Sequence, residues 1–376
     1  MSPVLPDEAW LAALCALDGA GPRRIRALLE RWSPGEAWAA VVAGDPQVAD
    51  AIGSGTVADR WRQEARAIDA EMLWAEHTAA RVGVLGESSP AFPIRLVDDP
   101  EPPIVLFTSG DPTVFSGRTA AIVGTRECTR YGIDIANELG RMLAGAGVSV
   151  VSGLAAGIDA AAHAGALAAD GAPPIAVVGS GVDRPYPARN RSLWRRVGET
   201  GVICSEAPLG AAPRRWRFPA RNRLIAGLAE LVVVVESHAA GGSLSTATEA
   251  MARNLPVLAV PGSIRSPASA GTNRLIDDGC APLCTLDDVM VALDLIAAPA
   301  TAVAAPPTEI DAASAALLDV LGWQPRSVDE VVVASGAAVD DTALRIELLI
   351  GAGLVVRRGP LLERTAAAFR VEDRPS

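Results

Sequence analysis

The amino-acid sequence predicts an α/β protein built on a doubly wound, Rossmann-like parallel sheet, with a helical domain before the sheet and a winged helix after it. Three observations support this fold class. The middle of the chain alternates apolar, β-branched segments such as TAAIVGT, VSVVSG and ELVVVVE with helical stretches. Residues 8–75 carry apolar side chains at helical spacing, and three short helices followed by a hairpin are predicted near the other end.

The first domain, predicted over residues 1–78, consists of short helices separated by glycine and proline. It contains LDGAGPRRIRALL, which is similar to a helix-hairpin-helix or SAM-like pattern. A Gly-x-Gly turn of this kind can present backbone N–H groups at a helix start to a DNA phosphate. A plain helical turn in a small bundle is the alternative, and Asp18 favours it because a carboxylate beside the turn would repel phosphate.

The Rossmann-like domain is predicted over residues 79–296, and a proline-rich passage leads into its alternating series of strands and helices. Apolar strands that alternate with helices imply a parallel sheet covered by helices on both faces. Ligands of such sheets bind beyond the carboxyl ends of the strands. The residues that follow each strand are therefore the candidates for function.

A proline- and alanine-rich linker is predicted over residues 297–308, and the winged-helix domain over residues 309–376. The predicted recognition helix carries three acidic residues and one arginine, namely Asp340, Asp341, Glu347 and Arg345. Carboxylates that face a DNA groove would repel phosphate, so we expect this domain to contact protein or a second copy of the chain. A minor role at DNA is left open for Arg357 and Arg358 in the hairpin.

Composition and charge restrict the function further. Half of the 376 residues are hydrophobic and the formal net charge is −11, so bulk electrostatics predicts no general affinity for polyanions and any such site must be local. The five cysteines are scattered without CxxC spacing, which favours reduced thiols and no metal site. The beginning of the sequence lacks a signal-peptide pattern and no uncharged apolar run approaches a membrane span, so we expect a cytoplasmic protein without a membrane partner.

The first strand of the series ends in Gly124, Thr125 and Arg126, where a dinucleotide-binding domain would need GxGxxG. Cofactor binding is therefore not expected, and a P-loop is excluded because the chain has no lysine. Arg126 instead stands before a helix start, a position that favours anions. The alternative is that Arg126 only caps a helix or forms a salt bridge within the fold. Separately, His163 is interpreted as a structural helix residue.

A local basic patch lies between residues 184 and 223, with ten arginines and two acidic residues. Four aromatic residues are interleaved with the arginines: Tyr186, Trp194, Trp216 and Phe218. Guanidinium groups beside aromatic rings suit a single strand, whose phosphates are neutralised while its unstacked bases rest on rings. We predict contacts to single-stranded DNA from Arg189, Arg215, Phe218, Arg221 and Arg223. Some arginines are alternatively paired with surface carboxylates, and some aromatics belong to the core.

A glycine-rich turn follows a later strand at Gly241, Gly242 and Ser243. Free backbone N–H groups and hydroxyls at such a turn could bind phosphate, so these residues join the predicted DNA site. The same stretch supports an alternative function, a nucleotide phosphoribohydrolase of the lysine-decarboxylase-like Rossmann type. Those enzymes use a PGGxGTxxE pattern, whereas here alanines precede the glycines and the Gly-Thr pair is missing.

Together and in order, these segments resemble the DNA-processing protein A family (DprA, also called Smf). The resemblance covers roughly 200 residues and runs through IVGTRECTRYG, VVSGLAAGIDAAAH, VVGSGVDRPYPARNRSL, FPARNRLIAGLAELVVVVES, GGSLSTATEAM and GTNRLIDDGC. It implies a protein that binds single-stranded DNA, dimerises through its Rossmann-like core, and protects incoming DNA and helps load the RecA recombinase on it in natural transformation, with no catalytic residues. It also implies that the binding turn falls at Gly124, Thr125 and Arg126, and further contacts near Arg215, Phe218, Arg221 and Asn222.

Overall fold

The computed structural model describes four stretches of the chain, residues 5–295, 311–322, 325–358 and 361–364. They divide into two compact units, with the division between residues 296 and 297. The predicted linker, residues 297–308, lies outside the described residues. The finer division of the first unit between residues 78 and 79 stays a prediction.

Six helices open the first unit. They are α1 Asp7–Ala16, α2 Pro22–Leu29, α3 Pro34–Ala43, α4 Pro46–Ile52, α5 Gly55–Ala67 and α6 Ala70–Ala79. Ser33 and Glu36 form a capping box that fixes the start of α3. The helices surround the fully buried Trp61, while Leu11 of α1 packs in a second cluster with Phe107 of the sheet. The helical segment and the sheet therefore share part of their hydrophobic core.

The central sheet of the first unit is mostly parallel. Its strands are β1 Gly83–Gly86, β2 Val105–Gly110, β3 Arg118–Val123, β4 Val148–Ser152, β5 Ile175–Val177, β6 Val202–Ser205, β7 Val232–Val234, β8 Val257–Ala259 and β9 Ala281–Pro282. Over the described residues the order is β1-β2-β6-β5-β4-β3-β7-β8-β9. Strands β3 to β9 are parallel to one another, and β2 pairs antiparallel with both β6 and the edge strand β1.

Helices cover both faces of this sheet. They are α7 Ile94–Val97, α8 Arg130–Gly145, α9 Ile158–Ala166, α10 Arg191–Thr200, α11 Arg217–Gly227, α12 Gly242–Ala252, α13 Ala270–Asp277 and α14 Asp287–Ala292. Successive residues of a strand face opposite sides, so Ile122 packs with α8 and α9 while Val123 packs with α11 and α12. This two-sided burial explains the continuous apolar character of the strands.

The six strands predicted from the alternating pattern are confirmed, and the doubly wound arrangement with them. The sequence did not indicate β1, β2 and β9. Strand β2 lies at the end of the passage interpreted as a proline-rich approach, where Pro102 and Pro103 obscured its buried run of Val105 to Thr108. Strand β9 has two residues, which is too short for any periodic signal.

The chain reverses its direction of travel across the sheet beside β3. It passes from β3 through β4 and β5 to β6 on one side, and then returns to β7 on the other side of β3. Where the strand order reverses, the helices after the two neighbouring strands lie on opposite faces and leave a crevice at the carboxyl edge. The fold therefore predicts a binding site at the ends of β3 and β7.

The second unit contains three helices and a small sheet. Its elements are α15 Ala312–Leu321, β10 Arg326–Ser327, α16 Val328–Ser335, α17 Val339–Gly351, β11 Val355–Arg358 and β12 Leu361–Arg364, with the sheet order β10-β12-β11. This order is typical of a winged helix, and that assignment stays a prediction. On α17, Arg345 pairs with Asp311 and Asp341, and Arg357 of β11 lies 2.7 Å from Glu347. The Arg357 charge is thus already balanced.

His163 of α9 is completely buried beneath the sheet, which agrees with the structural interpretation of this residue. Burial lowers the pKa of its imidazole from 6.5 to about 4. The folded protein therefore keeps this ring neutral where the unfolded chain already binds a proton.

We expect His163 to make the fold less stable as the pH falls from about 6.5 to 4. In that range the unfolded state binds the additional proton, so the contribution of this group decreases by roughly 3 kcal/mol. Urea unfolding at several pH values should show a steeper loss for the wild type than for His163→Gln, which retains every other titrating group. Parallel pH profiles for the two proteins would contradict the assignment.

Candidate functional site

The predicted site residues come from three loops at the carboxyl edge of the sheet. Arg126 follows β3, Tyr186 and Arg189 lie in the connection after β5, and residues 214–218 lead into α11. Parallel strands end at the same edge, so segments that are about 90 residues apart in sequence become neighbours in space.

Phe218 lies in the first turn of α11 and is contacted from two sides. The Arg126 guanidinium lies 5.1 Å from the centroid of its ring, and the Tyr186 ring lies 5.5 Å away in a tilted arrangement. Arg126 and Tyr186 are exposed, and Phe218 is half-buried. These three residues, here called the arginine–aromatic rim, present a cation and two rings to solvent.

A second arginine–aromatic pair lies directly beside the rim. Trp216 is 62% exposed, and the Arg217 guanidinium lies 5.2 Å from the centroid of its indole. Together with Tyr186 and the exposed part of Phe218, this indole adds to a contiguous apolar patch, and such patches favour interaction with a ligand. The structure thus brings Arg126 together with part of the predicted patch, namely Tyr186, Trp216, Arg217 and Phe218.

Several exposed arginines around the rim have no acidic partner within the part of the chain that the structure describes. They include Arg126, Arg189, Arg191, Arg196, Arg214 and Arg215. Other members of the patch are neutralised, because Arg184 pairs with Asp183 and Arg195 lies 3.8 Å from Glu199. The patch therefore keeps a surplus of positive charge although the chain as a whole is acidic.

Arg221, Asn222 and Arg223, which were predicted as direct DNA contacts, are engaged within the protein, and their role in DNA binding stays a prediction. All three side chains are at least nine-tenths buried. The Asn222 amide donates to the carbonyl of Gly242 and to the hydroxyl of Ser245, at 3.2 and 2.9 Å. The Arg223 guanidinium lies 2.6 Å from Glu206. Sequence spacing could not distinguish the buried from the exposed face of a helix in which both faces are polar.

Arg221 holds the start of α11 against the ends of β4 and β5. Its guanidinium donates to the carbonyls of Gly153 and Val177, and it lies 3.9 Å from the carboxylate of Asp159. Burial raises the pKa of that carboxyl group, while Arg221 acts in the opposite direction. Phe218 stands one helical turn before Arg221, so this buried arginine positions the half-buried ring. Asp159 was not among the predicted site residues.

Gly124 and Thr125 form the turn after β3, and both residues pack against or hydrogen-bond to other parts of the protein. A Cβ on Gly124 would meet the side chain of Ile158 and the carbonyl of Glu236, so glycine is required for close packing of the chain here. The Thr125 N–H donates to the Glu236 carbonyl at 2.7 Å, and its hydroxyl lies 3.1 Å from Nδ1 of His238. From this turn Arg126 extends to the surface.

The start of α8 is also already occupied by an anion, which corrects the expectation of an anion site there. The Glu236 carboxylate accepts from the N–H of Thr129 at 2.8 Å and from its hydroxyl at 2.6 Å. Thr129 is the N-cap of α8, so Glu236 neutralises this helix end. The predicted contact of Arg126 with an anion therefore rests on the charge of its own guanidinium.

The turn at Gly241, Gly242 and Ser243 lies at the start of α12, across the crevice from β3. The Ser243 hydroxyl is buried and donates to the hydroxyl of Ser237 at 2.9 Å. Gly241 precedes the helix without a side-chain cap, and Gly242 is exposed. The Ser243 hydroxyl therefore stabilises the fold. Backbone N–H groups in the first turn of α12 are the groups that this segment could present to a ligand, and their role in binding stays a prediction.

Trp194 is a further correction to the predicted patch. It is buried, and its indole N–H donates to the carbonyl of Val182 at 3.1 Å, so it belongs to the core. Conversely, Tyr186 and Trp216 were noted in the patch but not selected as site residues, and His238 was not considered. The nearby arginines in the sequence were the signal that could have identified Tyr186 and Trp216 as site residues.

Among the described residues, no group of three or more histidine, cysteine, aspartate or glutamate side chains could hold a metal ion. Burial raises the pKa of the Cys15 and Cys204 thiols to about 12, which keeps them protonated. None of the helices described here is long and apolar enough to cross a bilayer.

The fold and the site define a Rossmann-like protein with a cationic, aromatic binding surface at the carboxyl edge of its sheet. Residues 83–294 match the family model of the DNA recombination-mediator protein A. The chain belongs to this family, as the resemblance in its sequence predicts. The match ends before the second unit, whose assignment it does not address.

Individual relatives agree with this assignment. The DNA processing protein DprA of Bacillus subtilis is 39% identical over 203 residues, which are 54% of this chain and 68% of that protein. A putative DprA of Mycobacterium tuberculosis is 39% identical over 263 residues, which are 69% of this chain and 64% of that protein. The matched segments thus span about two thirds of these relatives.

Two solved structures share the fold. DprA of Streptococcus pneumoniae superimposes with a TM-score of 0.65 at 30% identity, covering 77% of this chain and 98% of that one. A structure that reports the single-stranded DNA binding mode of DNA processing protein A from Helicobacter pylori gives a TM-score of 0.51 at 29% identity, covering 57% and 96%. The mostly parallel sheet is common to both comparisons.

Proposed function

We propose that this protein binds single-stranded DNA at the arginine–aromatic rim, without catalysing a reaction on it. The observation that carries this proposal is the exposed arrangement of Arg126 and Tyr186 around Phe218. A single strand exposes both of the groups that this arrangement suits. Its phosphates bind guanidinium groups, and its unstacked bases stack on rings. The H. pylori relative, whose structure reports single-stranded DNA binding, supports the same ligand.

The surplus arginines extend the binding surface along a strand. Arg189, Arg214 and Arg215 are exposed around the rim and provide phosphate contacts that do not depend on sequence. Gly242 at the start of α12 offers a further contact with the backbone. Binding of this kind discriminates single strands from duplex DNA, because a duplex buries its base faces.

We further propose that the bound strand is incoming DNA in natural transformation, which the protein protects and on which it helps to load the RecA recombinase in the cytoplasm. Membership of the DNA recombination-mediator protein A family supports this role. We also propose a homodimer. The exposed apolar side chains of Met251 and Ile264, 46% and 94% accessible, support an association surface near α12. Dimerisation would join two DNA sites and raise affinity through effective concentration.

Single strands are expected to bind much more tightly than the matched blunt duplex, and binding should weaken steeply with salt. The arginines of the patch release counterions when they neutralise phosphates, so log affinity should fall linearly with log salt concentration. Fluorescence anisotropy with a labelled oligothymidylate and a labelled duplex, measured over a salt series, checks both statements. Equal affinity for the two ligands, or affinity independent of salt, would refute the proposed site.

A further inference from the structure

A cavity of about 1000 Å³ lies between the N-terminal helices and the edge of the sheet. One wall is the turn between α1 and α2, residues 17–23, and the opposite wall is the loop after β6 together with residues 214–217. Arg221 and Arg223 also line it. Small-molecule sites occupy about 300–1000 Å³, so this space, here called the turn cavity, is large enough for a nucleotide.

The turn that forms the first wall is held in a fixed shape. Gly19 has a φ of +74°, in the left-handed region, and its carbonyl accepts from the Arg24 guanidinium at 2.8 Å. The Asp18 carbonyl accepts from the indole N–H of the buried Trp61 at 2.9 Å. The Asp18 carboxylate lies 3.3 Å from Arg60, which also lies 3.9 Å from Glu64. Arg60 therefore offsets part of the negative charge that argued against phosphate binding at this turn.

The remaining charges of the turn cavity favour an anion. Six arginines line it against three carboxylates, and two of those carboxylates, on Glu101 and Glu206, share Arg223, at 3.6 and 2.6 Å. Arg23 on one wall and Arg214 on the other are exposed and have no acidic partner among the described residues. Two unbalanced cations thus face a common space from opposite sides.

The turn cavity also contains a ring and lies next to the arginine–aromatic rim. Trp216 lines it and stands two residues before Phe218 of the rim. Gly179 lines it as well, and a Cβ on this residue would lie 3.2 Å from the Phe218 ring. A chain of phosphates and bases bound at the rim therefore has a path into the cavity.

We propose that the turn cavity is a second subsite for the same single strand, in which Arg23 and Arg214 bind phosphate and Trp216 stacks on a base. This inference rests on the proposed function of the rim. It assigns to the N-terminal helices a direct contact with DNA. A strand long enough to reach both subsites then binds more tightly than one that fills the rim alone.

Replacing Arg23 by alanine tests this subsite. Affinity for an oligothymidylate of about twenty nucleotides should fall roughly fivefold and its salt slope by about one, because one phosphate contact is lost. Affinity for an oligomer of about six nucleotides should change less than about twofold, since the rim is intact. Arg141→Ala removes an exposed arginine of α8 and serves as the matched control, with wild-type binding at both lengths.

Ala220→Trp provides an independent variant, because this exposed residue of α11 lines the turn cavity and a bulky side chain there would occupy part of the space. It should reproduce the loss that is specific to the long oligomer, and thermal melting establishes that both variants fold. Wild-type affinity of the folded Arg23→Ala and Ala220→Trp proteins for the long oligomer would overturn the subsite alone. A wild-type protein that binds neither oligomer would instead contradict the proposed function.

Discussion

Replacing Arg221 by alanine is expected to lower the free energy of unfolding by about 3 to 5 kcal/mol. The substitution removes the donor from the carbonyls of Gly153 and Val177 and leaves the buried Asp159 carboxylate without its cation. An unpaired buried acceptor costs about 1 to 3 kcal/mol, and an unpaired buried charge costs more. The total is a large part of the about 5 to 15 kcal/mol that stabilises a typical domain.

Urea unfolding followed by circular dichroism measures this loss, with Arg215→Ala as the control. Arg215 is exposed and has no acidic partner among the described residues, so its removal should change the unfolding free energy by less than about 0.5 kcal/mol. If the two variants are equally stable, Arg221 does not hold α11 against the sheet. Its buried position would then have another explanation.

The double variant Arg126→Ala, Phe218→Ala is expected to weaken binding of single-stranded DNA by about 2 to 3 kcal/mol, or roughly 30- to 150-fold. Phe218→Ala removes a stacking surface worth about 1 to 3 kcal/mol and should keep the salt slope. Arg126→Ala removes a phosphate contact and should lower the slope by about one. The Arg126 guanidinium lies over the Phe218 ring, so the two substitutions are coupled. The loss of binding free energy in the double variant should therefore be smaller than the sum of the two single losses, by about 0.5 to 1 kcal/mol.

Anisotropy titrations of the two single variants and the double variant, each at several salt concentrations, complete this cycle. Arg141→Ala again controls for the loss of one surface charge. Phe218 is half-buried, so melting temperatures are needed to separate a loss of stacking from a loss of stability. A folded double variant that binds single strands as the wild type does would exclude the rim as the DNA site.

Much of the architecture could be predicted because it depends on local patterns. Buried β-branched runs and apolar residues at helical spacing identify strands and helices wherever both faces of a sheet are covered. The antiparallel edge was missed, since prolines precede β2 and β1 is a four-residue strand bounded by glycines. Such short strands are defined by their neighbours and carry little signal of their own.

The candidate site was predictable in part. An excess of arginine over acidic residues in one segment indicated a polyanion site, and the order of strands placed Arg126 near that segment. Which arginines reach solvent was not predictable. Arg215 is exposed and Arg221 is buried, although both belong to the same sequence cluster. The difference depends on the face that α11 turns to the sheet.

The sequence by itself determined the doubly wound sheet, the family and the composition of the basic patch, because these follow from periodicity, spacing and residue type. The tertiary structure alone decided which cations are free. Asp159 and Glu206 pair with Arg221 and Arg223, and Glu236 accepts from the N-cap residue of α8. Folding also brings the turn at Gly19 and Arg214 to the lining of one cavity. Charge pairing acts through distances in space, and residues far apart in the chain set those distances.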